Sequence, residues 1–268
     1  MRVGVIGHVE WVSFVDVAQV PSAGAITHAR GLHEEAAGGG GVAAVELARL
    51  AGSSVLVTAL GDDALGRQAR AQLSRFGVEV RGPSRDEPQR RAITFLDDQA
   101  ERTIIVIGDA TAPRHDDGLD LADLDAIYFC KGDAALLRAA RAAKVVVATA
   151  RVLSVVREAG VKLDALVLSA SDPSERYVDG DLDVRPRLVA RTDGGRGGSY
   201  TLSDGTSGRW SAAPLPGPSR DAYGAGDSFA AALTWALACG MSPLQALELA
   251  ATRGALALTR RGAHGLSG

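Results

Sequence analysis

Aromatic residues make up only 4% of this 268-residue chain, cysteine occurs twice and histidine five times. Each shortage removes a class of function. The histidines (His8, His28, His33, His115 and His264) are scattered without metal-ligand spacing, and no Gly-x-Ser-x-Gly elbow occurs. A zinc enzyme or a histidine-based hydrolase is therefore a weak reading. Cys130 and Cys239 each lie inside an apolar stretch. Two buried thiols in a reducing compartment are expected, rather than a disulfide. Excess charge is lacking too: 29 Lys and Arg against 32 Asp and Glu leave a net charge of −3. Nothing here points to a nucleic-acid partner or a charged tail. The longest apolar run, Phe229 to Met241, is too short to span a bilayer and reads as a buried helix, and after Met1-Arg2 the chain is already a short strand. A soluble, cytoplasmic protein with no membrane partner is expected.

What the chain has in quantity is small and apolar residues, with 46% hydrophobic composition and 32 glycines. That suits a helix-rich protein with closely packed elements, large enough for one sizeable core or two small ones. No break in composition and no repeat is visible, so a single domain over residues 1–268 is expected. Arg2 to Ile6 reads as a buried strand, with His8 to Glu10 just beyond its carboxyl end, where open α/β sheets bind ligands. Phe14 to Ala18 and Ala25 to Glu35 suggest a small, half-exposed sheet. Strands are expected at Val55 to Leu60, Val78 to Val80, Ala126 to Phe129, Val145 to Thr149, Ala165 to Leu168 and Leu188 to Arg191. Helices are expected at Val42 to Ala51, Arg67 to Phe76, Ala134 to Ala143, Val152 to Ala159 and Leu244 to Leu258. Short apolar runs alternating with helices imply right-handed crossovers and a parallel sheet covered on both faces. Arg91 to Asp97 and Arg102 to Ile107 read as a hairpin turning through Asp98 to Glu101; Gly198 to Leu202 and Thr206 to Ser211 read as another.

Two glycine-rich helix entries stand out. Gly38-Gly39-Gly40-Gly41 abuts the helix at Val42, which favours close backbone approach to something over a flexible linker. Asp221-Ala222-Tyr223-Gly224-Ala225-Gly226-Asp227-Ser228-Phe229 follows a loop with Pro214, Pro216 and Pro218 and opens a run of helix formers. The first N–H groups of a helix lack internal partners and lie at the positive end of its dipole, so small residues there let an anion reach bare backbone. Asp227 beside such an anion hole suits phosphoryl transfer; taken alone, it would equally suit a cap.

With these pieces in order, the chain resembles the ribokinase-like (PfkB) carbohydrate kinases over almost its whole length. The resemblance rests on the glycine-rich turn and helix from Gly38 to Gly52, on Leu60 to Gly66 and on Asp221 to Asp227. Between them, Asp172-Pro173-Ser174-Glu175 looks like the family's Asn-x-x-Glu, and Thr192 to Gly197 like its Thr-x-Gly-x-x-Gly. It implies a three-layer α/β/α sandwich with a mainly parallel central sheet and a small β-sheet lid from segments near 11–36 and 90–106. It also implies an ATP-dependent kinase acting on a hydroxyl of a sugar or sugar-like molecule. Asp227 would be the base, and Gly224, Ala225 and Gly226 would offer backbone N–H groups to the γ-phosphoryl. Asp172 and Glu175 would hold Mg²⁺ through its waters, and Thr192, Gly194 and Gly197 would form the nucleotide phosphate loop. Adenine would lie between loops near the last two helices. Asp221 would be structural or beside a monovalent cation such as K⁺. Glu10 and Gly38, Gly39, Gly40 and Gly41 would face the acceptor, and the lid would close over it or serve as a homodimer surface. Arg102 would reach an anionic substrate or stay on the lid surface.

The departures lie mostly at the acceptor end. Val12 and Ala43 stand where the family carries hydroxyl-binding polar side chains, which puts ribose itself in doubt; Asp172 replaces Asn, and Ala222 replaces Thr or Ser. A nucleoside kinase of the same fold and a catalytically silent sugar- or nucleotide-binding protein stay open as alternatives.

Overall fold

The computed structural model describes residues 1–98, 102–109 and 111–265. Its centre is a nine-stranded sheet. The strands on one side are β1 (Val3–Ile6), β4 (Ser54–Val57) and β6 (Val78–Arg81). On the other side of β1 run β10 (Ala126–Phe129), β11 (Val145–Thr149), β12 (Ala165–Ser169), β13 (Leu188–Thr192), β14 (Gly198–Leu202) and β15 (Ser207–Trp210). All pairings are parallel except β13 with β14 and β14 with β15, the second of which is the expected hairpin. The apolar runs are uninterrupted because helices cover both faces. On one face Val3, Val5, Ala126, Tyr128 and Val147 pack under α1 (Gly38–Ala51), α2 (Ala64–Arg75), α5 (Ala225–Ala238) and α6 (Pro243–Leu258). On the other, Ile6, Ile127, Phe129, Val146 and Leu166 pack under α3 (Ala134–Ala140) and α4 (Leu153–Ala159). Alternate residues of one strand thus enter opposite cores, as a period of two requires.

β1 lies between β10 and β4, so the strand order reverses there. In open α/β sheets ligands bind at such a switch point, outside the carboxyl ends of the strands. Over that edge stands a second, four-stranded sheet in the order β3 (Gly31–Ala37), β2 (Glu10–Asp16), β8 (Arg91–Leu96), β9 (Arg102–Ile107). This is the lid. Val12, Phe14, Ala92 and Leu96 form its core with Val42 and Tyr223 of the main body. The turn between β8 and β9 falls, beyond Asp98, outside the described residues. The remaining pairing joins two short strands, β5 (Leu60–Gly61) and β7 (Ser84–Arg85).

Two expectations need correction. Gly38 to Gly41 do not form a turn before a helix; they are the first turn of α1. Tertiary contact overrides poor helix propensity here. Gly40 donates its N–H to the His8 carbonyl at 3.0 Å, and a Cβ on Gly40 would lie 2.6 Å from that oxygen. Only glycine lets α1 start this close to the chain leaving β1. Cys130 is buried as expected, but Cys239 is exposed, because it follows the last turn of α5 rather than lying within its packed face.

The helix starts differ in how they are finished. Asp63 caps α2 by accepting the Gly66 N–H at 2.8 Å, Asp133 caps α3 through the Leu136 N–H at 2.8 Å, and Ser242 with Gln245 forms a capping box on α6. α4 continues a 3-10 turn whose start Thr149 caps through the Arg151 N–H at 3.3 Å, whereas α1 and α5 have no side-chain cap. Among the described residues, no helix is long and apolar enough to cross a membrane.

Candidate active site

A cleft of about 1040 Å³ opens between the carboxyl edge of the main sheet, the lid and the uncapped starts of α1 and α5. The chain reaches α5 through a turn closed by Asp221, which is buried and accepts the Tyr223 N–H at 2.8 Å. Gly224 follows at φ 73°, and a Cβ at that position would come 2.7 Å from the Val42 side chain. The left-handed backbone and the contact with α1 both call for glycine. The first helical bond then runs from the Ser228 N–H to the Gly224 carbonyl, at 2.8 Å. The N–H groups of Ala225, Gly226 and Asp227 precede it and receive no side-chain cap. A Cβ on Gly226 would meet nothing within 4 Å, so this residue faces the open cleft. The arrangement leaves bare N–H groups at the positive end of a fourteen-residue helix.

Asp227 sits in the first turn of α5, against the start of α1. A Cβ on Gly39 would lie 3.0 Å from its Oδ1, so the glycine makes room for the carboxylate. The Tyr128 hydroxyl lies 3.5 Å from the same oxygen. Burial pushes the Asp227 carboxyl up to about 6, and Glu175 adds to the rise while Arg151 opposes it. Such a value leaves the group ionised at neutral pH and able to take a proton.

On the neighbouring strand ends stand Asp172 and Glu175, and the structure brings to them a residue that the sequence reading did not single out. Arg151 donates from Nε to Glu175 Oε1 at 2.6 Å and from Nη2 to Asp172 Oδ2 at 2.5 Å. Glu175 Oε2 accepts the Ser169 N–H at 2.7 Å, and Asp172 Oδ1 accepts from Ser174. No group of three or more His, Cys, Asp and Glu side chains suited to a metal occurs among the described residues. The Thr192–Gly197 loop lines the same wall. Gly194, at φ 52°, has open space where a Cβ would be, whereas a Cβ on Gly197 would lie 2.2 Å from the Trp210 carbonyl. Gly194 thus faces the cleft and Gly197 shapes the loop. The Thr192 hydroxyl donates to the Leu168 carbonyl at 3.3 Å.

The opposite end is built from side chains. His8, Glu10, Gly38, Gly39, Arg90 and Lys131 line it; Gly40 and Gly41 are not in the cleft wall. Arg90 Nε lies 3.0 Å from Glu10 Oε1, and Tyr223 takes the Gly38 N–H on its hydroxyl at 3.1 Å. Burial raises the Glu10 carboxyl while Arg90 lowers it. Burial, together with Arg90, Lys131 and Arg151, lowers His8 to about 4, so its ring is neutral. From the lid, Arg102 hydrogen-bonds the Ala222 carbonyl and so ties β9 to the loop before α5. Arg90, Lys131 and Arg151 belong to no motif. Position alone signals the last two: Lys131 follows β10 and Arg151 follows β11 by two residues each, at the edge where open sheets bind ligands.

Comparison with known proteins agrees with this geometry. Solved structures with the same fold include Thermotoga maritima ribokinase (TM-score 0.81, 20% identity, 98% of this chain and 95% of the other covered). Arabidopsis thaliana ribokinase, solved with ribose and ATP, gives a TM-score of 0.77 at 21% identity, covering 97% of this chain and 93% of the other. A Methanocaldococcus jannaschii nucleoside kinase gives 0.77 at 16% identity, covering 98% and 94%. An ATP-dependent ribose-1-phosphate kinase of Halopiger xanaduensis is 31% identical over 292 residues, covering 98% of this chain and 94% of the relative. The family model described as pfkB family carbohydrate kinase matches residues 2–184 and 183–267. The chain belongs to the pfkB family of carbohydrate kinases and is an ATP-dependent kinase of the sugar and nucleoside type.

Proposed function

We propose that the protein transfers the γ-phosphoryl group of ATP to a hydroxyl of a sugar or sugar-like small molecule at the start of α5, with Asp227 as the base. One observation carries this reading: an uncapped helix end, open to the cleft at Gly226, directly precedes a carboxylate whose pKa burial has raised to about 6. Phosphoryl transfer needs positioning and charge stabilisation more than covalent help. Asp227 orients the acceptor hydroxyl and takes its proton as the new O–P bond forms. The N–H groups of Ala225, Gly226 and Asp227 stabilise the charge on the transferring group. Closure of the lid keeps water from competing with the acceptor.

Gly194 and the Thr192 end of its loop would lie along the nucleotide phosphates. Leu215, Ala251, Gly254, Ala255 and Leu258 give the adjoining cleft an apolar wall suited to adenine. The bound metal would supply neutralising charge to the phosphates. Asp172 and Glu175 fit it through its water shell, because Arg151, Ser169 and Ser174 already engage all four of their carboxylate oxygens. Asp221 Oδ2 is buried without a hydrogen-bond partner among the described residues and fits a monovalent cation. Glu10, Gly38 and Gly39 would meet the acceptor. Val12 and Ala43, both fully buried, offer it no polar group. The Halopiger relative is a ribose-1-phosphate kinase, which favours an acceptor of pentose size here.

On the outer face of β9, Ile105 and Ile107 are 50% and 42% exposed, while Ile104 and Val106 line the cleft. An unpaired apolar edge strand of this kind suits a homodimer through the lid. Light scattering should give twice the chain mass, and an Ile105→Lys variant should give the monomer.

ADP release across a panel of sugars, sugar phosphates and nucleosides, with the ester identified by ³¹P NMR, tests the proposed activity. An ester with a sugar-type acceptor supports it. Ligand binding in calorimetry with no ester from any acceptor would replace it with a silent binding protein.

A further inference from the structure

The charged side chains around the cleft pair off with one exception among the cations. Arg90 is matched by Glu10 at 3.0 Å. Arg151 is matched twice, by Asp172 and Glu175. Arg102 is engaged by the Ala222 carbonyl. The Lys131 side chain lines the cleft with no hydrogen-bond or ionic partner among the described residues. Part-buried in the cleft wall and without a counter-ion, it leaves a positive charge that no protein group offsets.

Its position says which ligand would offset it. Lys131 lies two residues beyond β10, and its N–H donates to the Ile6 carbonyl at 3.3 Å, which sets it beside the chain running from β1 into His8 and Glu10. That is the acceptor wall. His8 there is a neutral ring whose Nδ1 is buried without a partner. A neutral sugar would satisfy Glu10 through its hydroxyls and leave Lys131 uncompensated. An acceptor carrying a phosphate would satisfy both.

Building on the proposed kinase activity, we infer that the acceptor is a sugar phosphate whose phosphate is bound by Lys131, with Arg90 and His8 beside it, while its free hydroxyl faces Asp227. Lys131 is then the residue that sets preference for a phosphorylated over a neutral sugar. It acts on the group the acceptor already bears and not on the group being transferred.

Calorimetry with ribose 1-phosphate, ribose and inorganic phosphate tests this without requiring turnover. The wild-type protein should bind ribose 1-phosphate about tenfold or more tighter than ribose, as one charge-assisted contact predicts. Inorganic phosphate should compete with ribose 1-phosphate. Lys131→Met should collapse that preference by a similar factor, and Lys131→Arg should keep most of it. In the kinase assay the same change should raise the KM for ribose 1-phosphate more than it lowers kcat. Equal affinity for the two sugars in the wild type overturns the inference. So does an equal loss toward both in Lys131→Met, which would make Lys131 a general support of the acceptor wall. Failure of the kinase reading would appear separately, as absence of any phosphate ester with the binding preference intact.

Discussion

The two ends of the cleft are built from different parts of the chain. The phosphoryl end, at α5 and the Thr192–Gly197 loop, is mostly backbone: glycines at 194, 224 and 226 and N–H groups left without a side-chain cap. The acceptor end is side chain: His8, Glu10, Arg90 and Lys131, drawn from segments far apart in sequence. Helices α2, α3 and α6, whose starts lie outside the cleft wall, carry ordinary caps, while α1 and α5 start on glycine or alanine against one another. A backbone site tolerates change in most side chains but no added Cβ. A side-chain site can be re-specified one residue at a time. That contrast accounts for a fixed reaction joined to an acceptor that the family motifs leave undefined.

Adding a side chain to the backbone end should break it most severely. Gly226→Leu would project into open cleft space and exclude the phosphate, cutting kcat by about 10²–10³-fold, the loss seen for one removed oxyanion contact. The melting temperature should not fall, and unchanged turnover would deny that phosphate sits there. Next in size is pH. With Asp227 at about 6, kcat/KM should fall about tenfold per unit as pH drops below that value and level off above it. A profile flat from pH 5 to 8 would remove Asp227 as the base. At the acceptor end, Glu10→Gln should cost about tenfold in acceptor KM, one hydrogen bond to a charged group, with nucleotide affinity unchanged in calorimetry. The smallest effects contrast two glycines two residues apart. Gly224→Ala must adopt φ 73° and meet Val42, so chemical denaturation should show a loss of about 1–2 kcal/mol. Gly226→Ala, helical and unobstructed, should gain up to about 1 kcal/mol while losing activity.

Much of the main sheet was legible because parallel strands buried on both faces read as unbroken apolar runs. Ala126–Phe129 and Val145–Thr149 have the bounds their composition predicts. The lid strands were placed less well: β2 and β3 begin four and six residues from their expected starts, since β2 buries the polar Glu10 and Ser13 among its apolar residues and the first half of β3 is exposed or part-buried, so the apolar pattern thins. The glycines of α1 misled because helix propensity argues against them, and contacts visible only in the fold, the His8 carbonyl pressing on Gly40 and the Asp227 carboxylate beside Gly39, explain their place. At the candidate site, the α5 motif was readable since its spacing carries its geometry. Arg151 was not, because its meaning lies in two carboxylates that arrive from the next strand.

The central claim is that phosphate moves at Asp227. Burial holds its carboxyl above the usual range, so its ionised form costs stability that grows as pH rises toward about 6 and persists above it. Single-turnover transfer by Asp227→Asn at pH 8, measured beside its ATP affinity and melting temperature, tests the claim most directly. The account predicts ATP affinity close to wild type, melting at or above wild type, and transfer slowed by about 10²–10⁴-fold. Transfer at the wild-type rate in a folded, ATP-binding variant would contradict it.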